Sequence, residues 1–161
     1  MPNKIIKDRA IVEDHWQIVD TQATDVPEGA VIVPVALWDT HRDDRVNRDA
    51  PLGIWLNSDE PPQLIADRLQ HFAVVAINFP GLTDGRGFSY GRELRQVYNY
   101  GGEIRAIGGF IRDQLYYLQR CGFNAFALDA AELDSALQSL DDFSDSYQAS
   151  IDQPDPLFKR R

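Results

Sequence analysis

Beyond Gly29 the chain alternates short, almost continuous apolar runs with segments whose apolar residues recur at helical spacing. The runs fall at residues 31–37, 52–56, 72–79, 104–107 and 125–128, and such runs suit strands covered on both faces, as in parallel sheets. Between them, Pro61-Pro62 can open a helix with Leu64, Ile65, Leu69 and Phe72 on one face and Ser58 or Asp59 as a cap. A second helical pattern covers residues 90–98 through Tyr90, Leu94, Val97 and Tyr98, and a third covers residues 110–120 through Phe110, Ile111, Leu115 and Leu118. The last opens on the box-like Asp129-Ala-Ala-Glu132 and repeats Leu133, Ala136, Leu137 and Leu140. Strand then helix, repeated, is the rhythm of βαβ units. The pattern therefore predicts an α/β fold with a mostly parallel sheet of about five strands, either flavodoxin-like or a partial β/α barrel.

Residues 1–28 alternate loosely around Ile5-Ile6, Ala10-Ile11-Val12 and Trp16-Gln17-Ile18-Val19, which predicts a short antiparallel β segment or flap. Residues 29–143 read as the α/β core. Residues 144–161, with Pro154, Pro156 and Lys159-Arg160-Arg161, read as a surface tail. At 161 residues these parts fit one domain. Within the core, residues 39–50 carry Val46 as their only large apolar side chain and read as an exposed excursion.

Composition narrows the chemistry. A single cysteine, Cys121, excludes an internal disulfide and a thiolate set for zinc or an iron–sulfur cluster, and it points to a reducing compartment. Residues 1–9 lack the apolar core of a signal peptide, and no apolar run reaches the roughly 20 residues of a membrane helix. A cytoplasmic protein with no membrane partner is expected. His15, His41 and His71 show no ligand spacing, so no metal site is expected either.

A net charge of −9 argues against nucleic acid, which is held by an excess of Lys and Arg. The charge is uneven. Residues 129–155 hold eight acids and no Lys or Arg, whereas residues 81–120 hold six arginines against four acids, a local net of +2.

That basic stretch carries the candidate site. Thr83-Asp84-Gly85-Arg86-Gly87-Phe88-Ser89 falls between the strand ending at Phe79 and the helix expected from Tyr90, beyond a strand's carboxyl end, where open α/β sheets bind ligands. Gly81, Gly85, Gly87 and Gly91 permit positive φ and close approach, so several backbone N–H groups could face one point. Ser89 is a reasonable helix cap, and Arg92 and Arg95 follow in the early turns, where a cation opposes the helix dipole unless an anion is nearby. Gly85, Arg86, Gly87 and Ser89 are thus candidate anion-binding residues, with Arg95 in support. The plain alternative is a glycine turn closed by the Asp84 side chain. The motif is neither a Walker loop nor a dinucleotide fingerprint.

Glu103 and Arg105 alternate on one side of the strand at 104–107, where charges need partners. They form a mutual or tertiary ion pair near the strand end, or Arg105 enters the same cleft as Arg86 and holds the anion with it. Asp84 and Glu103 are the candidate proton carriers if the protein is an enzyme. Gln114 falls in the middle of an apolar helical face, where its amide needs partners, and Asp113 stands outside that face; both are candidates for the site's second layer. Cys121 reads as a small buried residue.

The stretch Ile77-Asn-Phe-Pro-Gly-Leu-Thr-Asp-Gly-Arg-Gly-Phe-Ser89, followed by Gly102-Glu-Ile-Arg-Ala-Ile-Gly108 and Arg112-Asp-Gln-Leu-Tyr-Tyr-Leu-Gln-Arg-Cys-Gly-Phe123, resembles the bacterial domain of unknown function 934 family. That family carries the label of an oxidoreductase involved in sulfite reduction. The likeness spans most of the chain beyond Val31, including Gly53-Ile-Trp-Leu56 and Tyr147-Gln148, while residues 39–50 depart from it. The resemblance implies a place in sulfate assimilation and cysteine biosynthesis, with sulfite reductase or another sulfur-assimilation enzyme as partner and a small oxyanion as ligand. It supplies no mechanism, because no motif here binds sirohaem, an iron–sulfur cluster, flavin or nicotinamide. Three functions stay open: an oxyanion-binding accessory, an enzyme acting on a phosphorylated metabolite, and a purely structural interaction protein. Oligomeric state is not legible.

Overall fold

The computed structural model describes residues 3–40, 48–143, 146 and 148–160. Six strands run parallel and neighbour one another in sequence order: β3 (Gln17–Ile18), β4 (Val31–Pro34), β5 (Leu52–Leu56), β6 (Val74–Phe79), β7 (Glu103–Gly108) and β8 (Ala125–Phe126). The hairpin β1 (Asn3–Lys7) and β2 (Ala10–Asp14) completes the sheet, with β1 antiparallel to β8 through Ile6 opposite Phe126. The order is β2-β1-β8-β7-β6-β5-β4-β3. Eight strands replace the expected five, because residues 1–28 contribute three that join the main sheet. Consecutive order belongs to a partial β/α barrel; a flavodoxin-like sheet reverses direction at a switch point, and this one does not.

Chain connectivity forces the sheet to curl. β2 and β3 are its opposite edges, yet only His15 and Trp16 separate them. The three Cα steps from Asp14 to Gln17 span at most about 11 Å, whereas eight flat strands would hold their edges about 34 Å apart. The result is a curled half-barrel whose two edges are drawn together at one corner.

The curl gives the sheet two apolar faces. On the outer face Ile54, Leu56, Val75, Ile77, Phe79 and Ile104 join the main core with the helices. On the inner face Ile32, Val74, Ala76 and Ile107 pack with Trp16 and Trp55. Burial on both sides is why the central strands read as unbroken apolar runs.

The helices are α1 (Val35–Thr40), α2 (Arg86–Gln96), α3 (Leu115–Arg120) and α4 (Leu133–Ser139). Several stretches depart from the sequence reading. The run at 31–37 is half strand and half helix, the chain turning into α1 at Val35. Pro61-Pro62 opens two short 3-10 segments, Pro62–Leu64 and Ala66–His71, in place of one α-helix. There N–H groups reach back three residues, Leu64 to Pro61 and Arg68 to Ile65, and Ile65 leaves helical geometry at φ −123°. The third pattern starts as 3-10 turn at Arg112–Gln114 before α3.

Of the excursion at 39–50, residues 41–47 lie outside the described residues, and Arg48 is tied back to the carbonyls of Pro27 and Gly29. Tyr147 also lies outside them. The tail runs over the end of α3, where buried Arg120 donates to the Gln148 carbonyl and Ser146, and Ser150 donates to the Arg120 carbonyl.

Candidate functional site

The carboxyl ends of the parallel strands bring together Ser58, Asp84, Arg86 and Tyr90. The chain leaves β6 at Phe79 and turns so that the Asp84 N–H reaches the Gly81 carbonyl at 3.2 Å. Asp84 Oδ1 accepts the Arg86 backbone N–H at 3.2 Å and Arg86 Nε at 3.0 Å, and Oδ2 accepts Nη2 at 2.7 Å. Arg86 Nη2 also donates to Ser58 Oγ at 3.0 Å, and the Tyr90 hydroxyl donates to the Ser58 carbonyl at 2.6 Å. Ser58 is buried, while the Arg86 side chain is 58% exposed. Two asparagines link the ends of β5 and β6: Asn78 Nδ2 donates to Asn57 Oδ1 at 3.0 Å.

Hydrogen bonding from Arg86 holds the Asp84 carboxyl well below the usual carboxylate range. Asp84 is therefore ionised at neutral pH and a poor proton acceptor. Its anion sits where the helix dipole favours negative charge, taking the first N–H of α2.

The glycines here serve a different purpose from the one their spacing suggests. The helix begins at Arg86, four residues before the expected Tyr90, with Gly85 as its N-cap at φ −87°, so Ser89 lies exposed inside the first turn and does not cap it. Among the described residues the positive-φ glycines are Gly29, Gly108 and Gly122, and none belongs to the turn. Gly87 instead lets α2 approach the sheet: a Cβ there would stand 2.7 Å from the Phe79 ring and 3.0 Å from Ile77. Gly91, one turn later, faces Phe123 and the Cys121 carbonyl, 2.9 Å from such a Cβ.

Arg105 stands apart from this cluster. Among the described residues its hydrogen bonds go to Glu103 and Asp14, not to the turn. Arg105 Nε donates to Glu103 Oε1 at 2.7 Å, and Glu103 Oε2 pairs with Lys7 Nζ at 2.9 Å. Nη1 reaches Asp14 at the end of β2. These charges lie on the inner face, and Arg105 is only 1% exposed. Both Glu103 oxygens are thus engaged.

The remaining candidates are dispersed. Arg95, in the last turn of α2, donates to the carbonyls of Tyr100, Gly102 and Gly122 and to Asn124 Oδ1, stapling the segments that lead into β7 and β8. Burial pulls its pKa down. Gln114 is no amide inside an apolar face: its Oε1 accepts the Ile111 N–H at 3.1 Å and closes the 3-10 turn. Asp113 is exposed beside Arg112. Sequence reasoning missed Ser58 as the polar partner of Arg86 and Tyr90, and Asp14 and Lys7 as partners of the β7 charges. For Ser58, Lys7 and Asp14 the only signal was a polar residue just past an apolar run, too common to single them out.

Among the described residues, no cluster of three or more His, Cys, Asp or Glu is placed to hold a metal ion, and no helix is long and apolar enough to cross a membrane.

Fold and site together define an α/β half-barrel protein with a polar cluster at the carboxyl rim of its parallel strands. The chain belongs to the family described as Bacterial protein of unknown function (DUF934), whose model matches residues 53–158, well over half of its length. The match takes in β5 to β8 and the Asp84–Arg86 turn, and leaves out the N-terminal strands that supply Lys7 and Asp14. No curated protein matches the chain.

Proposed function

We propose that the protein serves assimilatory sulfite reduction, within sulfate assimilation and cysteine biosynthesis, as a cytoplasmic oxyanion-binding partner of sulfite reductase or another sulfur-assimilation enzyme. The pathway rests on the family resemblance set out above. The observation that carries the oxyanion is Arg86: its side chain is more than half exposed at the carboxyl rim, with the guanidinium anchored through Nε and Nη2. Among the described residues Nη1 makes no hydrogen bond, so one arm of the fork is available to a sulfur oxyanion. Asp84 fixes that orientation and offsets part of the charge, which suits a weakly held, exchanging ligand.

An accessory role is favoured over an enzyme on a phosphorylated metabolite because both candidate proton carriers are engaged. Asp84 is held by Arg86, and Glu103 by Arg105 and Lys7. Deleting the gene tests the pathway: growth on sulfate or sulfite should fail while growth on cysteine is normal, and normal growth on sulfite overturns the proposal. Calorimetric titration of sulfite into the wild-type protein and Arg86→Ala tests the site, and equal affinity removes Arg86 from it.

A further inference from the structure

A cleft of about 1140 Å³ opens between the N-terminal hairpin and the segment that follows β8. It lies at the carboxyl end of the parallel strands, beside Gly108 at the end of β7 and Ala127 just past β8, on the side where β/α barrels bind their ligands. Its apolar walls include Trp16, Phe110 and Ile18, the last 44% exposed. The rim carries the exposed carboxylates Asp129, Glu132 and Asp134, with Lys4 as the one cation lining it among the described residues. Asp14 also lines the cleft, but its charge is already matched by Arg105. Arg86 takes no part in the lining.

We propose that this cleft docks an extended segment of a partner protein in which basic and apolar side chains alternate. Three observations favour that occupant. Surplus carboxylates beside an apolar floor complement Lys or Arg side chains interspersed with large apolar ones, and they repel an oxyanion. The volume lies above the range of roughly 300–1,000 Å³ usual for small-molecule pockets. Finally, both edge strands contribute to the walls, β2 through Ile11 and Asp14 and β3 through Gln17 and Ile18. Each has a single neighbour in the sheet, so each presents backbone groups that an extended chain can pair with.

The test uses the full chain and a synthetic heptapeptide of alternating Lys and Leu, followed by NMR at the Trp16 indole and the Ile18 and Asp134 amides. Trp16→Phe assigns the indole signal. The expected result is a saturable shift at all three positions that weakens with added salt and is absent with the matching Glu and Leu peptide. Replacing the exposed rim charges together, Asp129→Asn with Glu132→Gln and Asp134→Asn, should lower affinity about tenfold, the scale of several screened charges acting together, with an unchanged melting temperature showing that the fold is intact. No shift at these positions, or equal binding of the acidic peptide, overturns the proposal. So does saturation by butylamine at the concentrations that suffice for the peptide, which would mark a small-cation pocket. Arg86→Ala should leave peptide binding untouched, so the fate of this proposal is separate from that of the oxyanion site.

Discussion

Arg105 and Asp14, 91 residues apart in sequence, meet on the inner face of the sheet, where Arg105 Nη1 donates to both Asp14 oxygens at 3.1 and 3.0 Å. The side chains are 1% and 8% exposed. Removing one member of such a buried pair leaves an uncompensated charge, a loss of about 3–5 kcal/mol. Arg105→Met should therefore cost that much in urea denaturation, and adding Asp14→Asn should recover part of it. A single variant as stable as the wild type would show that the pair does not hold the hairpin to β7.

Asp84 links folding to acidity. A carboxyl whose folded pKa lies below its unfolded value of 3.8 contributes stability in full above that value, and the contribution fades as pH falls through the depressed folded value. Asp84→Asn should lower the melting temperature at pH 7 and converge on the wild type toward pH 2. Parallel melting curves across that range would mean that Arg86 does not stabilise the ionised carboxyl.

The three glycines at the start of α2 should respond differently to one added methyl group. Gly85→Ala meets only the edge of the Phe88 ring at 3.9 Å and should be neutral. Gly87→Ala and Gly91→Ala force the helix off the sheet, against Phe79 in one case and the Cys121 backbone in the other. Overpacking of this kind costs about 1–3 kcal/mol. Equal stability for all three variants would contradict the close approach.

Burial pushes the Cys121 thiol upward, and contacts with Arg92 and Tyr117 only partly reverse this. The native protein should be inert to a thiol-reactive chromophore at pH 8 and react once unfolded in guanidinium. Prompt labelling of the folded chain would show Cys121 to be accessible.

How much of this the sequence discloses depends on the range over which each contact acts. β5, at 52–56, was legible to the residue because both its faces are buried. The onset of α2 was not, since Gly85 and Gly87 have the composition of a turn, and only the Phe79 ring behind Gly87 explains a glycine inside a helix. The Asp84–Arg86 bond is local and could be foreseen as the structural alternative for that turn. The Glu103–Arg105 pair was foreseeable as one alternative, whereas Asp14 was not, because it comes from a strand joined to β7 only through β8 and β1. The strand order is a property of the closed sheet, and no window of residues contains it.

The two-residue link between the sheet's edges also fixes when the protein can be finished. β1 needs Phe126 opposite Ile6, so it cannot pair with β8 until the chain between them has been made. Until then Ile5 and Ile6, both buried in the finished protein, stay in water, and the inner charges on β7 lack Lys7 and Asp14. Long-range pairing of this kind slows folding and leaves nascent chains open to aggregation. His15 and Trp16 thus work as a clasp, fastened only once β8 is in place.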